Sequence, residues 1–207
     1  MKHYMDGPSQ FQSNLSQSAS DFQTRVWPLI AAHPRIGGGD LHLVEANVDT
    51  ALALDMDTLA GIDAWQVVGN RIGMRSIASR VQWGQDRRTF SIRYRKPSGA
   101  GTEYEKRLAA IKQPELGLSY PHLTVQAFLD TRGGRVFSVA AITTQHLILQ
   151  AEKLLDWGRM VDGTDRRFGL RRLQDGTEFL YMSWDYLQYT ELAQHLTIFE
   201  AQETAAG

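Results

Sequence analysis

The sequence predicts an α/β domain, with α+β as the alternative, built on a mixed or mostly antiparallel central sheet flanked by helices. Three observations lead there. Strand-like alternation recurs around hairpin turns: LTVQAFLD and RVFSVAAIT flank TRGG, and RRFGLRRLQDGTEFLYMSW turns at Asp175-Gly176. Helical periodicity is interspersed, most clearly in TTQHLILQAEKLLDW, which gathers Leu147, Ile148, Ala151, Leu154 and Leu155 on one side. No linker, repeat or low-complexity block divides the 207 residues, a length that suits one large domain.

The elements follow in order. Residues 1–19 are polar and rich in Ser and Gln, and read as a flexible segment. From Ser20 or Asp21 a helix is expected on the spacing of Phe22, Val26, Leu29 and Ile30, in two short pieces because Pro28 interrupts it. HPRIGGGD, residues 33–40, is a loop. LHLVEANVDTALALDMD begins like a strand and continues with helical composition, so both assignments stay open. LAGIDAWQVVGNRIGMRSIASRVQWG, residues 59–84, reads as a hairpin whose connector GNRIG supplies residues tolerant of positive φ. TFSIRYR alternates from Thr89 to Arg95 as a further strand, and PSGAG ends it. TEYEKRLAAIK is a helix with Thr102 as N-cap and acids in its first turn. The tail from Asp185 is expected to be helical to about Phe199. The layout is a segment 1–19, a core 20–130, and a C-terminal hairpin and helix extension 131–207 of the same domain.

Composition excludes several classes. Cysteine is absent, so disulfides, thiolate metal sites and cysteine nucleophiles are ruled out. No apolar run approaches the ~18 residues of a membrane span, and MKHYMDGPSQFQSN has no apolar signal-peptide core. The expected location is therefore the cytoplasm, with no membrane partner. The six histidines show no H-x-H or H-x-x-x-H spacing, and G-x-S-x-G and Walker-type runs are missing. Net charge is −1, so any attraction for polyanions must be local.

The hairpin carries the first candidate chemistry. Asp63 sits on one arm, and Arg80 and Gln82 on the other, among apolar neighbours. Arg80 and Gln82 share a face by alternation, and the register decides whether Asp63 joins them. The structural alternative is an Asp63–Arg80 ion pair, which would contribute little net stability once desolvation is counted.

The order helix, strand, Gly-Ile-Asp opening a strand, turn, and a strand with paired polar residues resembles the PD-(D/E)XK nuclease superfamily, which includes restriction endonucleases and resolvases. The resemblance covers roughly residues 20–130 and implies a restriction-endonuclease-like core. It implies Asp63 as the first acid of the motif, ligating Mg²⁺ or Mn²⁺, and a metal-assisted attack of water on a phosphodiester. The second arm departs from the pattern: no Glu-x-Lys or Gln-x-Lys occurs in it, and A-S-R-V-Q stands instead. Either Arg80 takes the Lys position with Ala78 in the acid slot, or Gln82 supplies an oxygen with Arg80 beside it. Arginine clamps phosphate well but is a poor base. The missing ligand would come from Glu45, or from Asp55 and Asp57. DNA is implied before RNA, in a phage or mobile-element setting, and a homodimer is one assembly such nucleases adopt.

Arginines form the second signal. DRRTFSIRYRK holds Arg87, Arg88, Arg93, Arg95 and Lys96, with Arg93 and Arg95 expected on one strand face. TDRRFGLRR adds Arg171 among others, and Phe90, Tyr94 and Phe168 are interleaved. Such strands suit a phosphate-lined groove, since each cation that neutralises a phosphate releases counterions. They also suit a solvated edge protected by charge. Glu103 and Arg107 read as an ordinary i, i+4 surface pair, with Arg107 a phosphate ligand in the nuclease reading. Three functions are carried forward: a metal-dependent nuclease, a catalytically inactive relative that binds nucleic acid or inhibits an enzyme acting on it, and a protein-interaction module.

Overall fold

The structure, a computed structural model, describes residues 8–44, 61–68, 73–99, 101–161 and 165–200. Among the described residues, nine strands form two sheets. The strands are β1 (Asp40–Leu43), β2 (Ala64–Val68), β3 (Gly73–Trp83), β4 (Thr89–Arg95), β5 (Leu123–Leu129), β6 (Val136–Thr143), β7 (Phe168–Arg172), β8 (Glu178–Ser183) and β9 (Leu196–Glu200). The helices are α1 (Pro8–Asp21), α2 (Trp27–Ile30), α3 (Glu103–Lys112), α4 (Thr144–Asp156) and α5 (Trp184–Gln188). The central sheet has six strands in the order β1-β2-β3-β5-β6-β9, and the second has three, β4-β8-β7.

The central sheet is mixed. β3 and β5 run parallel, and the other neighbours are antiparallel. A parallel pair needs a crossover, because its ends lie far apart. Here the connection from Trp83 to Leu123 carries β4 into the second sheet and then forms α3. TFSIRYR is therefore a strand of the second sheet rather than a neighbour of the hairpin.

Each face of the central sheet covers its own core. On one side Phe22, Val26 and Ile30 pack against Ile77, Val81, Leu123, Val125 and Val139. On the other, Phe128, Ala140 and Ile142 meet α4 through Leu147, Ile148 and Ala151, and meet the second sheet through Phe90, Ile92, Leu180 and Met182. Asp21, itself buried, fastens the first layer: it accepts from Trp83 Nε1 at 2.8 Å and from the Gly133 N–H at 3.1 Å.

Three expectations change. The N-terminal helix begins at Pro8, inside the segment read as flexible, and Ser20 and Asp21 lie within it rather than capping it. A π-helical turn (Phe22–Val26) separates α1 from α2, with the Trp27 N–H reaching back to Phe22 O. The widened turn accommodates Pro28, which has no N–H for an α-helical bond and would clash with the preceding turn. The tail is helical only through α5 and a 3₁₀ stretch (Glu191–His195). LTIFE then becomes β9, because its alternating, β-branched residues find the open edge of β6. Of the segment left open between strand and helix, the start is β1, and residues 45–60 lie outside the described residues, as do 69–72 of the hairpin connector.

Candidate functional site

Alternation on β3 sends Ile77 and Val81 toward the N-terminal helices, so Ala78, Arg80 and Gln82 take the opposite face. The hairpin register places Ala64 beside Ile77. Asp63, one residue earlier, donates its N–H to Ile77 O at 2.9 Å, and its Oδ2 accepts the Ser79 N–H at 2.6 Å. Gly61 permits the close approach of Arg107 to this segment. Its φ is +63°, and a Cβ there would lie 3.2 Å from the Arg107 guanidinium. β5 adds Gln126 opposite Arg80, on the same face.

α3 closes the site from above. Thr102 and Glu105 form a reciprocal capping box that fixes the first turn. That turn aims Glu103 at β3: Glu103 Oε2 accepts from Arg80 Nη2 at 3.0 Å and Oε1 lies 2.6 Å from Arg107 Nη1. Arg107 is only 4% exposed, and its Nη2 donates to Gly61 O at 3.3 Å. Arg80 also donates through Nη1 to Ser91 O at 3.0 Å, so three segments meet at one guanidinium. Gln126, buried, donates Nε2 to Arg80 O at 3.3 Å.

These groups line a cavity of about 470 Å³ whose wall includes Asp63, Arg80, Arg93, Glu103, Arg107 and Gln126, with Lys96 and Lys106 at the same cavity. Among the described residues, five cations therefore line the cavity with two carboxylates. Burial alone would raise the Glu103 carboxyl; the guanidiniums of Arg107 and Arg80 outweigh it and hold the group below its ordinary value. Glu103 is thus an anion already neutralised by protein. The Nε–H groups of Arg93 and Arg107 are buried and have no hydrogen-bond partner among the described residues. Chemically, the cavity can accept a further anion.

The sequence candidates separate into groups. Asp63, Arg80, Arg93 and Arg107 come together at the cavity. Gln82 lies instead in an adjoining cleft, with Arg87 and Arg171. Glu45, Asp55 and Asp57 lie outside the described residues. Arg88 is drawn off to Glu200 at 2.7 Å and Arg95 to Glu178 at 3.4 Å. Arg95 is exposed and, past a break in the β4–β8 register between Arg93 and Arg95, does not reach the cavity that Arg93 lines. The Asp63–Arg80 ion pair is replaced by Arg80–Glu103, and Glu103–Arg107 is a buried pair rather than a surface one.

Glu103 and Gln126 were not singled out as site residues from the sequence. Gln126 had a signal: it is the one amide in LTVQAFL, a strand buried along its whole length. Glu103 had only its place behind Thr102. Among the described residues, no group of three or more His, Asp or Glu side chains is gathered to hold a metal ion. Of the carboxylates proposed as ligands, Asp63 is the one among the described residues, and it stands at the cavity. No family model, curated protein or solved structure matches the chain.

Proposed function

We propose that the protein binds nucleic acid and that the cavity seats a phosphate of its backbone. The observation that carries this reading is Arg107: a buried guanidinium whose Nε–H has no partner among the described residues, beside the partly buried Arg93 whose Nε–H also has none, in a cavity where, among the described residues, cations outnumber carboxylates. A buried donor left unsatisfied costs about 1–3 kcal/mol, more when charged, and an oxyanion would relieve it. Guanidinium forks suit phosphate oxygens. With a net charge of −1, this local excess is a property of the site rather than of the whole chain.

The chain order also supports a nuclease-like core. The π-turn and α2 precede three strands paired in sequence, α3 lies in the crossover to a strand parallel with the third, and Asp63 stands just before the second. That is the order implied by the PD-(D/E)XK resemblance over residues 20–130. A salt series of oligonucleotide binding tests the reading. The logarithm of affinity should fall steeply against the logarithm of salt, and Arg93→Ala should reduce the slope by about one. A flat series contradicts it.

A second reading, hydrolysis of the bound phosphodiester, is favoured by Asp63 facing the same cavity as Arg80. Mg²⁺ or Mn²⁺ would then supply an activated water, with Glu45 or Asp57 completing the ligands. Plasmid cleavage by the wild type and not by Asp63→Ala would support turnover. Intact plasmid under conditions of saturated binding would leave the protein a binder.

A further inference from the structure

A second cleft, of about 910 Å³, shares Arg80, Val81, Trp83, Ser91 and Arg93 with the phosphate cavity and extends along the second sheet. Its floor follows from strand register. Arg93 on β4 stands opposite Phe179 on β8, and Phe179 stands opposite Arg171 on β7. A guanidinium, a phenyl ring and a second guanidinium thus form one cross-strand row. The next row is Ser91, Tyr181 and Gly169. Gly169 has no room for a side chain: a Cβ would lie 2.7 Å from Tyr181 Oη and 2.9 Å from Val161 O. Tyr181 is held in place by a 2.5 Å hydrogen bond from its hydroxyl to Asp165 O.

Phe179 is unusual in what surrounds it. The guanidinium carbons of Arg80 and Arg93 lie 5.5 and 5.7 Å from its ring centroid, in cation–π range. Phe179 and Tyr181 are only half-buried, so both rings remain on the cleft wall. Leu173 extends the apolar surface, and Arg87 and Arg171 stand at the same cleft. Phosphate recognition alone has no use for two rings and a leucine. A flat, partly apolar ligand bearing negative charge uses all of them. A duplex hides its bases in the stack, whereas an unpaired nucleotide presents a π-face to aromatic side chains. The cleft volume also lies in the range of small-molecule pockets, roughly 300–1,000 Å³.

We propose that this cleft is a base-binding subsite: it takes an unpaired nucleotide of a single strand, with its base against Phe179 and Tyr181 and a neighbouring phosphate in the cavity at Arg93 and Arg107. The inference rests on the phosphate reading above and adds the substrate class, single-stranded or locally opened nucleic acid.

Fluorescence anisotropy with the full chain tests it, using three probes of equal length: an oligothymidylate of about 12 nucleotides, within the span of single-strand site sizes, an abasic strand, and a duplex. The oligothymidylate should bind tightest. Phe179→Leu should weaken it about 5- to 100-fold, the loss expected for a base stacked on an aromatic ring, and should leave the abasic strand unchanged. Phe179→Trp should restore binding. Arg171→Ala, an exposed change that does not disturb the fold, should weaken the oligothymidylate and the abasic strand alike. Equal, salt-sensitive binding of all three probes, indifferent to Phe179→Leu, overturns the base subsite and leaves the phosphate reading standing. No binding of any probe at low salt overturns both.

Discussion

The two faces of the central sheet are built from the same strands and differ in what those strands bury. Toward the N-terminal helices, Ile77, Val81, Val125 and Ala127 meet Phe22, Val26 and Ile30 in an apolar layer. On the other face, the same β3 and β5 present Arg80 and Gln126 to Glu103 and Arg107, and only further along the sheet does an apolar core resume under α4. The first face is explained by burial of apolar surface. The second is not, because burying an ion network repays its desolvation poorly. A fold that needed only stability would continue the apolar layer across both faces. The difference is the reason the polar face is proposed as the functional one.

The comparison can be broken most forcefully on the apolar face. Phe22→Ala should cost about 3–5 kcal/mol, since Phe22 is fully buried and its removal leaves a cavity. Chemical denaturation measures this, and oligonucleotide affinity of the remaining folded protein should be unchanged. On the polar face, Glu103→Gln should cost about 3 kcal/mol, the low end for a broken buried pair, because Arg80 retains 29% exposure and can be hydrated. The informative variant is the double replacement Glu103→Leu with Arg107→Leu. It should stay within about 1 kcal/mol of wild type, as apolar substitutes for buried ion pairs often do, yet lose salt-dependent oligonucleotide binding. A double variant that is deeply destabilised would assign the network to folding and remove the contrast.

Acid titration gives the smallest effect. The folded Glu103 carboxyl is held below its ordinary value of 4.5. Its stabilisation is therefore present in full above that value and is lost as pH falls toward the folded one. Burial, with repulsion from His195, also lowers the His146 pKa, and burial, with Arg75, lowers that of His122. Both imidazoles favour the neutral form in the fold, so stability should decline as pH falls below about 6.5, the unfolded histidine value. His146→Gln should flatten that first decline, and Glu103→Gln the later one below about pH 4.5, in denaturation measured across the pH range.

How far the sequence could be read follows the same division. Hairpin turns at TRGG and Asp175-Gly176, the Thr102 cap and the amphipathic α4 were legible, because each depends on contacts close in sequence. The strand fate of LTIFE was not, since it depends on an open edge of β6 laid down far earlier in the chain. Nor was the split into two sheets, because β4 alternates identically whichever sheet it joins. At the site, Asp63 and Arg80 were visible as polar residues among apolar neighbours and Arg93 as part of a basic strand, whereas Arg107 read as half of a surface pair. The partner that Arg80 and Arg107 share was hidden: Glu103 looks like a surface acid until α3 is laid over β3. The register break between Arg93 and Arg95 carries no glycine or proline to announce it.

If an oxyanion completes the Arg93 and Arg107 guanidiniums of the polar face, side-chain ¹H–¹⁵N spectra of the arginine Nε–H groups, recorded while the oligothymidylate is added, will report it. The Arg93 and Arg107 signals, whose Nε–H groups have no partner among the described residues, should shift on binding, with Arg88 and Arg95 unmoved in their pairs with Glu200 and Glu178. Binding that perturbs Arg88 or Arg95 and leaves Arg93 and Arg107 unchanged would contradict it.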